Sequence, residues 1–331
     1  MRLPVSYQEI AKVLKINPLK RYGQNFLLDE NITSLMAQNA GVKDCHVVEV
    51  GPGPGSFTRS IILESCREID CVEIDRRFGP LLDSLAQGTK TPMRIHYMDV
   101  FKFDFNHAFH AVQPVDWTEE SILPKARMVG NLPFNISIGI LLQWLKAVSE
   151  KRGPFRIGRI PMYLTFQKEV ADNLACKNIT DTSRLTIMAQ AYCKVKKIQF
   201  IHKSNFVPIP KVDDLVSYKV DCVLVEIIPR AIPVIDVPFE ILEQVVKGTF
   251  QYRNKILSNS LKHFTRSDDE LVQKILAYSN IDPALHTHML SLGDWNRLCR
   301  SYVRVMNEEE LPLIVQPVKS PPPIVDDPEN Y

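Results

Sequence analysis

A short apolar stretch followed at once by three closely spaced glycines constrains the fold of this chain more than any other feature. Residues 47–50 are valines apart from one glutamate, a pattern typical of a buried parallel strand. Gly51, Gly53 and Gly55 follow, and residues 57–63 have a helical pattern. Because glycine has no Cβ, the backbone can turn sharply and approach a ligand at the N-terminus of the helix. The stretch predicts a nucleotide pocket.

A carboxylate further along the chain narrows the type of nucleotide. The dinucleotide fingerprint is G-x-G-x-x-G, whereas this chain has G-x-G-x-G with prolines between, so the longer turn that wraps a pyrophosphate is missing. Glu73 stands 18 residues after Gly55, at the end of a second apolar run. Alone it would be a solvated strand end. Together with the glycine turn, it predicts an acceptor for both ribose hydroxyls of an adenosine.

Composition and charge set wider limits. The chain has 331 residues, 45% of them hydrophobic and 24% charged, which is enough for two ordinary globular domains. The net charge is only +2, so a nucleic-acid partner would have to be bound by a local basic patch. Seven cysteines without a C-x-x-C pair argue for a reducing compartment and against a zinc ribbon. Since no apolar run reaches membrane-spanning length, we expect a soluble protein that is not secreted.

The first twenty residues have the basic bias of a mitochondrial transit peptide. However, Ser6 and Glu9 form a capping box before an apolar helical face, which favours a retained helix. Gln24 and Asn25 follow in a turn-like segment, and Asp29 can cap a helix over residues 30–40. We therefore expect a folded N-terminal helix ahead of the nucleotide pocket.

From the glycine turn onward, short apolar strands alternate with helical segments. This order predicts an α/β fold with an open, mostly parallel sheet and helices on both faces. Ligand-binding residues of such sheets gather at the C-terminal ends of the strands, where Gly51, Glu73, Asp99 and Asn131 all fall. A helix is predicted over residues 137–147. The predicted strands are 47–50, 69–73, 94–100, 128–131 and 162–166, with 193–201 and 215–225 as a closing antiparallel pair.

The sequence Asn131-Leu132-Pro133-Phe134 has the groups needed to alkylate an adenine amine. The lone pair of that nitrogen is delocalised into the ring, so a site must accept its two N–H hydrogens and hold the base against an aromatic face. Asn131 and Leu132 offer carbonyl oxygens, Pro133 stiffens the turn and Phe134 offers a ring. No strong base is required. The alternative is an ordinary Asn-Pro turn with an inward-packed aromatic residue.

Six motifs in order resemble the rRNA adenine-N6 dimethyltransferase family, and they cover about residues 20 to 220. The mitochondrial branch of the family is the most similar, through the N-terminal helix and residues 152–155 and 165–171. The motifs are residues 24–27 (QNFL), 48–53 (VEVGPG), Glu73 with Asp99, 131–134 (NLPF), 166–170 (FQKEV) and 206–213 (FVPIPKVD).

The resemblance implies a Rossmann-like class I methyltransferase fold and S-adenosylmethionine as methyl donor. It implies two adjacent adenines in the 3′-terminal hairpin loop of small-subunit rRNA as substrate, with the target base between Phe134 and Phe206. It also implies catalytic roles for Asn131, Leu132 and Pro133. Because pairing hides N6, the base must be swung out or come from a loop. The implied cofactor-binding residues are Gln24, Asn25, Leu27, Gly51, Gly53, Glu73, Ile74, Asp99, Val100 and Asn131.

The chain departs from the family pattern in three places. Phe134 stands where many members have Tyr, which keeps the stacking face and loses a hydroxyl. Asp214 follows Asp213 where Ser is frequent. Residues 252–255 replace a more basic run, which weakens the expected phosphate contact there.

The composition changes near residues 229–238, which are rich in proline and predict a linker. We expect a catalytic domain over 1–228, a helical rRNA-contacting domain over 229–310 and a disordered tail over 311–331. Helices are predicted over 239–250, 254–264, 268–278 and 294–306, with a break at 291–293. His286 and His288 are too isolated to predict a metal. The basic residues expected to meet rRNA are Arg253, Lys255, Lys262, Arg266, Arg297, Arg300, Arg304, Lys194, Lys196, Lys197 and Lys203, although such residues are often only solvated.

Two functions from different classes remain. The first is an S-adenosylmethionine-dependent rRNA adenine dimethyltransferase of the mitochondrial matrix, acting on a pre-assembled small ribosomal subunit and supporting its assembly. The second is a non-catalytic nucleic-acid-binding protein that assists the mitochondrial transcription machinery on the same fold. Intact Glu73, Asp99 and residues 131–134 favour the enzyme, since a site without activity has no reason to retain its acceptors.

Overall fold

The fold is an α/β sheet with helices on both faces, followed by a group of helices. The computed structural model describes residues 24–178, 182–207, 220–252, 254–265 and 268–313. The strands are β1 (Phe26–Leu27), β2 (His46–Val50), β3 (Glu68–Glu73), β4 (Met93–Tyr97), β5 (Ala126–Gly130), β6 (Met162–Gln167), β7 (Cys193–Ile201), β8 (Phe206–Val207) and β9 (Cys222–Pro229). The helices are α1 (Glu30–Asn39), α2 (Ser56–Leu63), α3 (Gly79–Gly88), α4 (Phe105–Ala108), α5 (Phe134–Ser149), α6 (Lys168–Leu174), α7 (Arg184–Tyr192), α8 (Phe239–Phe250), α9 (Leu257–Phe264), α10 (Asp269–Ser279) and α11 (Leu292–Glu308).

The main sheet has seven strands in the order β4-β3-β2-β5-β6-β9-β7. The first five are parallel, and β9 is antiparallel to both of its neighbours. The chain runs outward from β2 through β3 to β4 and then returns to β5 on the other side of β2. This topological switch point opens a crevice at the C-terminal ends of the central strands. The predicted mostly parallel sheet is confirmed.

The central strands are buried because both faces of the sheet are covered. All five residues of β2 and all six of β3 are buried, although β3 includes Glu68, Asp70 and Glu73. Apolar side chains from α1 and α2 cover one face, and those of α5 and α7 cover the other. Parallel strands buried on two faces tend to be continuous apolar runs, and residues 47–50 of β2 follow this pattern apart from Glu49, whereas acids alternate with apolar residues along most of β3.

Local capping explains where several helices begin. The Asp29 carboxylate accepts hydrogen bonds from the amides of Asn31 and Ile32, as predicted for the cap of α1. Ser291 and Asp294 form a capping box at the start of α11. The break predicted at residues 291–293 is confirmed at Ser291, the N-cap, but the helix begins at Leu292 and so includes Leu292 and Gly293.

Other predicted boundaries moved by a few residues. The strand predicted over 94–100 ends at Tyr97, because Asp99 caps a 3₁₀ turn, Val100–Lys102. The strand predicted over 128–131 runs from Ala126 to Gly130. Residues 215–219 of the strand predicted over 215–225 lie outside the described residues, and the observed strand runs from Cys222 to Pro229. The helix predicted from residue 254 begins at Leu257.

The proline-rich segment after β9 is packed against the rest of the chain. The amides of Arg230 and Val234 donate to the carbonyls of Tyr192 and Ala191, and Ile235 is fully buried. One apolar core continues from the sheet into α8, α10 and α11. The division at residue 229 stays a prediction. The expected N-terminal helix and most of the expected tail lie outside the described residues.

Candidate active site

A cavity lies at the C-terminal ends of β2, β3, β4 and β5, where the sheet topology predicts a ligand. It brings together all ten residues expected to bind the cofactor, from five separate segments of the chain. Leu132 and Pro133 line it as well. The lining residues are 24–27, 49–54, 56–57, 72–74, Phe78, 98–101, 131–133 and 135–136.

The glycine turn forms the floor of this cavity. Gly51 and Gly53 have φ values of 67° and 55°, in the left-handed region that residues with a Cβ rarely adopt. A Cβ on Gly51 would meet no protein atom within 4 Å, so a side chain there would extend into open space. A Cβ on Gly53 would stand 3.3 Å from the ring of Phe26. The turn therefore leaves its backbone open to a ligand.

Glu73 is fixed at the end of β3 by two backbone amides. Its Oε2 accepts from the Gly53 amide at 2.9 Å, and its Oε1 accepts from the Asp75 amide at 2.8 Å. The carboxyl is 5% exposed, and burial raises its pKa, while the hydrogen bonds from the Asp75 and Gly53 amides oppose that rise. Each carboxylate oxygen has two lone pairs, so each can still accept one hydroxyl.

The opposite wall can receive a flat heterocycle. Ile74 is 46% exposed at the tip of β3, while Val100 is buried in the turn after β4. The Asp99 carboxylate caps that turn by accepting from the Phe101 amide at 3.0 Å, and Asp99 remains half-buried. Phe101 also lines the cavity and is 41% exposed. These residues give two apolar surfaces and a nearby carboxylate acceptor.

Gln24 reaches the cavity from the segment before β1 and is held from outside. Its Nε2 donates to Asp75 Oδ2 at 2.9 Å, and the guanidinium of Arg77 binds the same carboxylate at 2.5 to 3.1 Å. Asp75 is buried beside the cavity without lining it. Although burial would raise the pKa of Asp75, hydrogen bonds from Arg77 and Gln24 hold it below its usual range.

Asn131 follows the last residue of β5 and connects the turn to two other segments. Its Oδ1 accepts from the Thr165 hydroxyl at 2.8 Å, and its Nδ2 donates to the Asn25 carbonyl at 3.2 Å. A Cβ on the preceding Gly130 would lie 2.9 Å from the Val50 carbonyl, so only glycine permits this approach between strands. The predicted polar group thus stands at the cavity with a fixed orientation.

Two further residues of the motif at 131–134 differ in their surroundings: Pro133 lines the cavity, whereas Phe134 packs into the core. Pro133 is the N-cap of α5, and its carbonyl accepts from the amides of Ile136 and Ser137. Phe134 begins α5 and packs against the core formed by α1, α2 and β8. Phe206 is 2% exposed in that same core, with Leu27 opposite it across the β1–β8 pair. Neither ring lines the cavity, so their stacking role stays a prediction.

Three further residues at the site were not identified from the sequence as functional. Thr165 was a polar residue within an apolar strand, and Asp75 stood two residues after Glu73. Glu49 was counted only as part of its strand, although it lines the cavity and is 1% exposed. Burial raises the pKa of Glu49 to about 8, with the nearby Glu73 adding to the effect. Glu49 is therefore mostly protonated at neutral pH.

The basic residues that are expected to contact rRNA and that the structure describes fall into two groups. Lys262, Arg297, Arg304 and Lys197 each pair with an acid of this chain. Within the described residues, Lys255, Arg300, Lys194, Lys196 and Lys203 have no such ion pair. Arg253 and Arg266 lie outside the described residues. Across the described ranges, no helix is long and apolar enough to span a membrane, and no cluster of His, Cys, Asp or Glu could hold a metal.

Comparison with known proteins identifies the family of this chain. Residues 16–302 match the ribosomal RNA adenine dimethylase family. Human dimethyladenosine transferase 1, mitochondrial, is 37% identical over 314 residues, covering 93% of this chain and 88% of its own. The Caenorhabditis elegans protein of the same name is 36% identical over 312 residues, covering 91% of this chain and 82% of its own.

Two solved structures share the fold. A dimethyladenosine transferase from Plasmodium falciparum has a TM-score of 0.61 at 19% identity, covering 86% of this chain and 98% of its own. The 23S rRNA methyltransferase ErmE has a TM-score of 0.57 at 21% identity, covering 83% and 98%. At such identities the structures establish the class I methyltransferase fold, and the sequence matches establish the family. The chain belongs to the ribosomal RNA adenine dimethylase family and is an rRNA adenine dimethyltransferase.

Proposed function

We propose that this enzyme uses S-adenosylmethionine to dimethylate N6 of two adjacent adenines in the 3′-terminal hairpin loop of mitochondrial small-subunit rRNA. The substrate would be a pre-assembled small subunit in the mitochondrial matrix, and the modification would support assembly of that subunit. One observation carries the proposal: a single cavity gathers Glu73, Asp99 and Asn131 from three parallel strands. That set provides acceptors for an adenosine and for a reacting amine at adjoining positions.

The cavity fits S-adenosylmethionine by its donor and acceptor chemistry. Glu73 would accept the ribose hydroxyls on the lone pairs that its two backbone amides leave. Ile74 and Val100 would hold the adenine ring, and Asp99 would accept from its amine. Gln24 and Leu27 would meet the methionine end above the turn at Gly51. When bound, the cofactor supplies an electrophilic methyl group on a sulfonium.

The residues after β5 would prepare the target amine. Asn131 Oδ1 accepts one hydrogen bond, from Thr165, and its second lone pair can accept one amine hydrogen. No described residue donates to the Leu132 carbonyl, so that oxygen can accept the other hydrogen. When both amine hydrogens are held in hydrogen bonds to these oxygens, the nitrogen is favoured in a tetrahedral geometry with an available lone pair. Phe134 and Phe206 would hold the base, and since Phe206 is buried here, its ring would first have to become exposed.

The mitochondrial assignment rests on similarity and on the N-terminal charge. The relatives named above are called mitochondrial, and the first twenty residues are basic. In isolated mitochondria, the tagged protein is expected to resist added protease even after the outer membrane is opened, as a matrix protein does. No observation on the described residues favours the non-catalytic transcription role.

The direct test is methyl transfer from a tritium-labelled donor. We expect label on N6 of two adjacent adenines when small subunits that lack the modification are supplied, with less on naked rRNA. The Asn131→Ala variant is expected to lose about 100- to 1,000-fold in turnover, while its affinity for S-adenosylhomocysteine changes little. Failure of the wild-type enzyme to label N6, in conditions where a related enzyme labels its own substrate, would contradict the proposal.

A further inference from the structure

Thr165 is a fully buried hydroxyl residue on β6, next to the end of β5. The two strands are parallel, with Gly130 opposite Leu164, and the residues that follow these two in the chain are Asn131 and Thr165. The hydroxyl of Thr165 lies 2.8 Å from Asn131 Oδ1 and donates a hydrogen bond to it. Thr165 does not line the cavity. Any effect that it has on the reaction must therefore pass through Asn131.

The surrounding groups permit only one orientation of the Asn131 amide. The backbone carbonyl of Asn25 can only accept a hydrogen bond, and it lies 3.2 Å from Nδ2. The amide nitrogen must therefore face Asn25, which leaves Oδ1 facing Thr165. A half-turn of the amide would place Oδ1 against the Asn25 carbonyl, with no hydrogen between the two oxygens.

Threonine suits this task better than a more flexible residue. Its β-branched side chain has few χ1 rotamers and packs well on a strand, so its hydroxyl is held in place. The bond from Thr165 also uses only one of the two lone pairs on Oδ1. The second lone pair stays available to accept one hydrogen of the target amine.

We propose that Thr165 is a positioning residue that fixes the Asn131 carboxamide for methyl transfer. This inference rests on the proposed function, since it assigns Thr165 to the step in which Asn131 accepts from the target amine. Thr165 acts on the rate of transfer at bound substrates. It contributes little to the binding of cofactor or RNA.

The test compares Thr165→Val with Thr165→Ser in the full-length protein. Valine has the shape of threonine without the hydroxyl, whereas serine keeps the hydroxyl with a smaller side chain. We expect the valine variant to lose about 10- to 100-fold in kcat, with KM for the rRNA substrate and Kd for S-adenosylhomocysteine nearly unchanged. The serine variant is expected to retain kcat within about threefold of wild type.

A second measurement is independent of turnover. In ¹⁵N–¹H spectra the side-chain amide signal of Asn131 can be assigned by its absence from the Asn131→Ala variant. That signal is expected to move in Thr165→Val and to stay near its wild-type position in Thr165→Ser, because only serine can still donate to Oδ1.

Several results would overturn the inference. A valine variant with wild-type kcat and an unmoved Asn131 signal would show that the hydroxyl does not position the amide. Equal losses in the valine and serine variants would show that packing at this site is responsible. A wild-type enzyme that transfers no methyl group would refute the proposed function itself, whereas an active wild type with an unaffected valine variant would refute only the role of Thr165.

Discussion

The strand β3 has acids near both of its ends, and the two ends hold them in different ways. Glu68 and Asp70 stand at the start of the strand, away from the cavity. Glu73 ends the strand, and Asp75 follows two residues later, at the cavity. All four residues are at most 9% exposed. The contrast between Asp70 and Glu73 separates an acid that stabilises the fold from an acid that is available to a ligand.

At the start of β3, two histidines and an arginine from the neighbouring strands surround Asp70. His46 of β2 and His96 of β4 each lie 2.6 Å from its carboxylate, and Arg94 of β4 binds both of its oxygens. Burial would raise the pKa of Asp70, but these hydrogen bonds hold it well below its usual range. Its lone pairs are used within the protein, so little acceptor capacity remains.

At the end of β3, no cation binds Glu73 among the described residues. Two backbone amides hold its carboxylate, and burial raises its pKa. The two amides orient the carboxyl group and use only one lone pair of each oxygen, so lone pairs remain free for a ligand. The comparison shows that burial alone does not mark a ligand-binding acid. The hydrogen-bonding partners of a buried acid determine whether it can still accept from a ligand.

The largest effect is expected from Asp70→Asn. This change leaves fully buried His46 facing an amide, while half-exposed Arg94 and His96 recover some hydration. We expect a loss of about 2–4 kcal/mol in the free energy of unfolding, with the affinity for S-adenosylhomocysteine unchanged. Urea unfolding and calorimetry measure the two quantities. The control is Asp83→Asn, an exposed aspartate of α3, and weaker ligand binding in Asp70→Asn at unchanged stability would break the comparison.

Glu73→Gln is expected to do the reverse. The amide loses one of the acceptor oxygens that the ribose hydroxyls would use, so ligand affinity should fall by about 2–3 kcal/mol, or roughly 30- to 150-fold. The free energy of unfolding should change by less than about 1 kcal/mol, since the lost hydrogen bond is offset by removing a buried charge. Calorimetric titration with S-adenosylhomocysteine measures the first quantity. A stability loss as large as that of Asp70→Asn would contradict the distinction.

The sequence was sufficient to predict the parallel sheet and the segments at its C-terminal edge. Strands buried on both faces leave continuous apolar runs, and a glycine turn before a helix has a recognisable pattern. Strand ends were less predictable, because they depend on caps. Asp99 was expected within a strand, yet its carboxylate caps the turn after β4. Pro229 was expected to open a linker, yet it ends β9.

Side-chain partners across strands were the part of the site that the sequence could not predict. Thr165 meets Asn131 from 34 residues away, and Gln24 meets Asp75 from 51 residues away. Such contacts depend on which distant segments the fold brings together, and the pattern of residues within one segment does not specify this. The rings of Phe134 and Phe206 show the converse. Their motif was noticed, but only the packing of β8 reveals that Phe206 is buried.

Glu49 extends the comparison to a buried acid that has neither a cation nor two backbone amides as partners within the described ranges. Its pKa of about 8 in the fold lies above the ordinary value of 4.5, so its contribution to stability is present below about pH 4.5 and is lost as pH rises through 8. Between about pH 6 and about pH 8, we expect the free energy of unfolding of the wild type to fall by about 2 kcal/mol more than that of Glu49→Gln. Urea unfolding across that range measures the difference. The contribution of the histidines to the pH dependence is the same in both proteins and therefore cancels. The exposed Glu169→Gln control should follow the wild-type curve, and a Glu49→Gln curve parallel to wild type would show that Glu49 is ionised.

The smallest effect is expected where an acid acts on the cavity through a neighbour. Asp75 does not line the cavity but accepts from Gln24, which does. Gln24→Ala and Asp75→Asn should each weaken S-adenosylhomocysteine binding by about 1 kcal/mol, or roughly fivefold. If Asp75 acts by orienting Gln24, the double variant should bind no more weakly than the weaker single variant, because the second change removes nothing further. Additive losses in that cycle would show that Asp75 affects the ligand by another route, and its place beside Glu73 would then be structural, as for Asp70 at the other end of the strand.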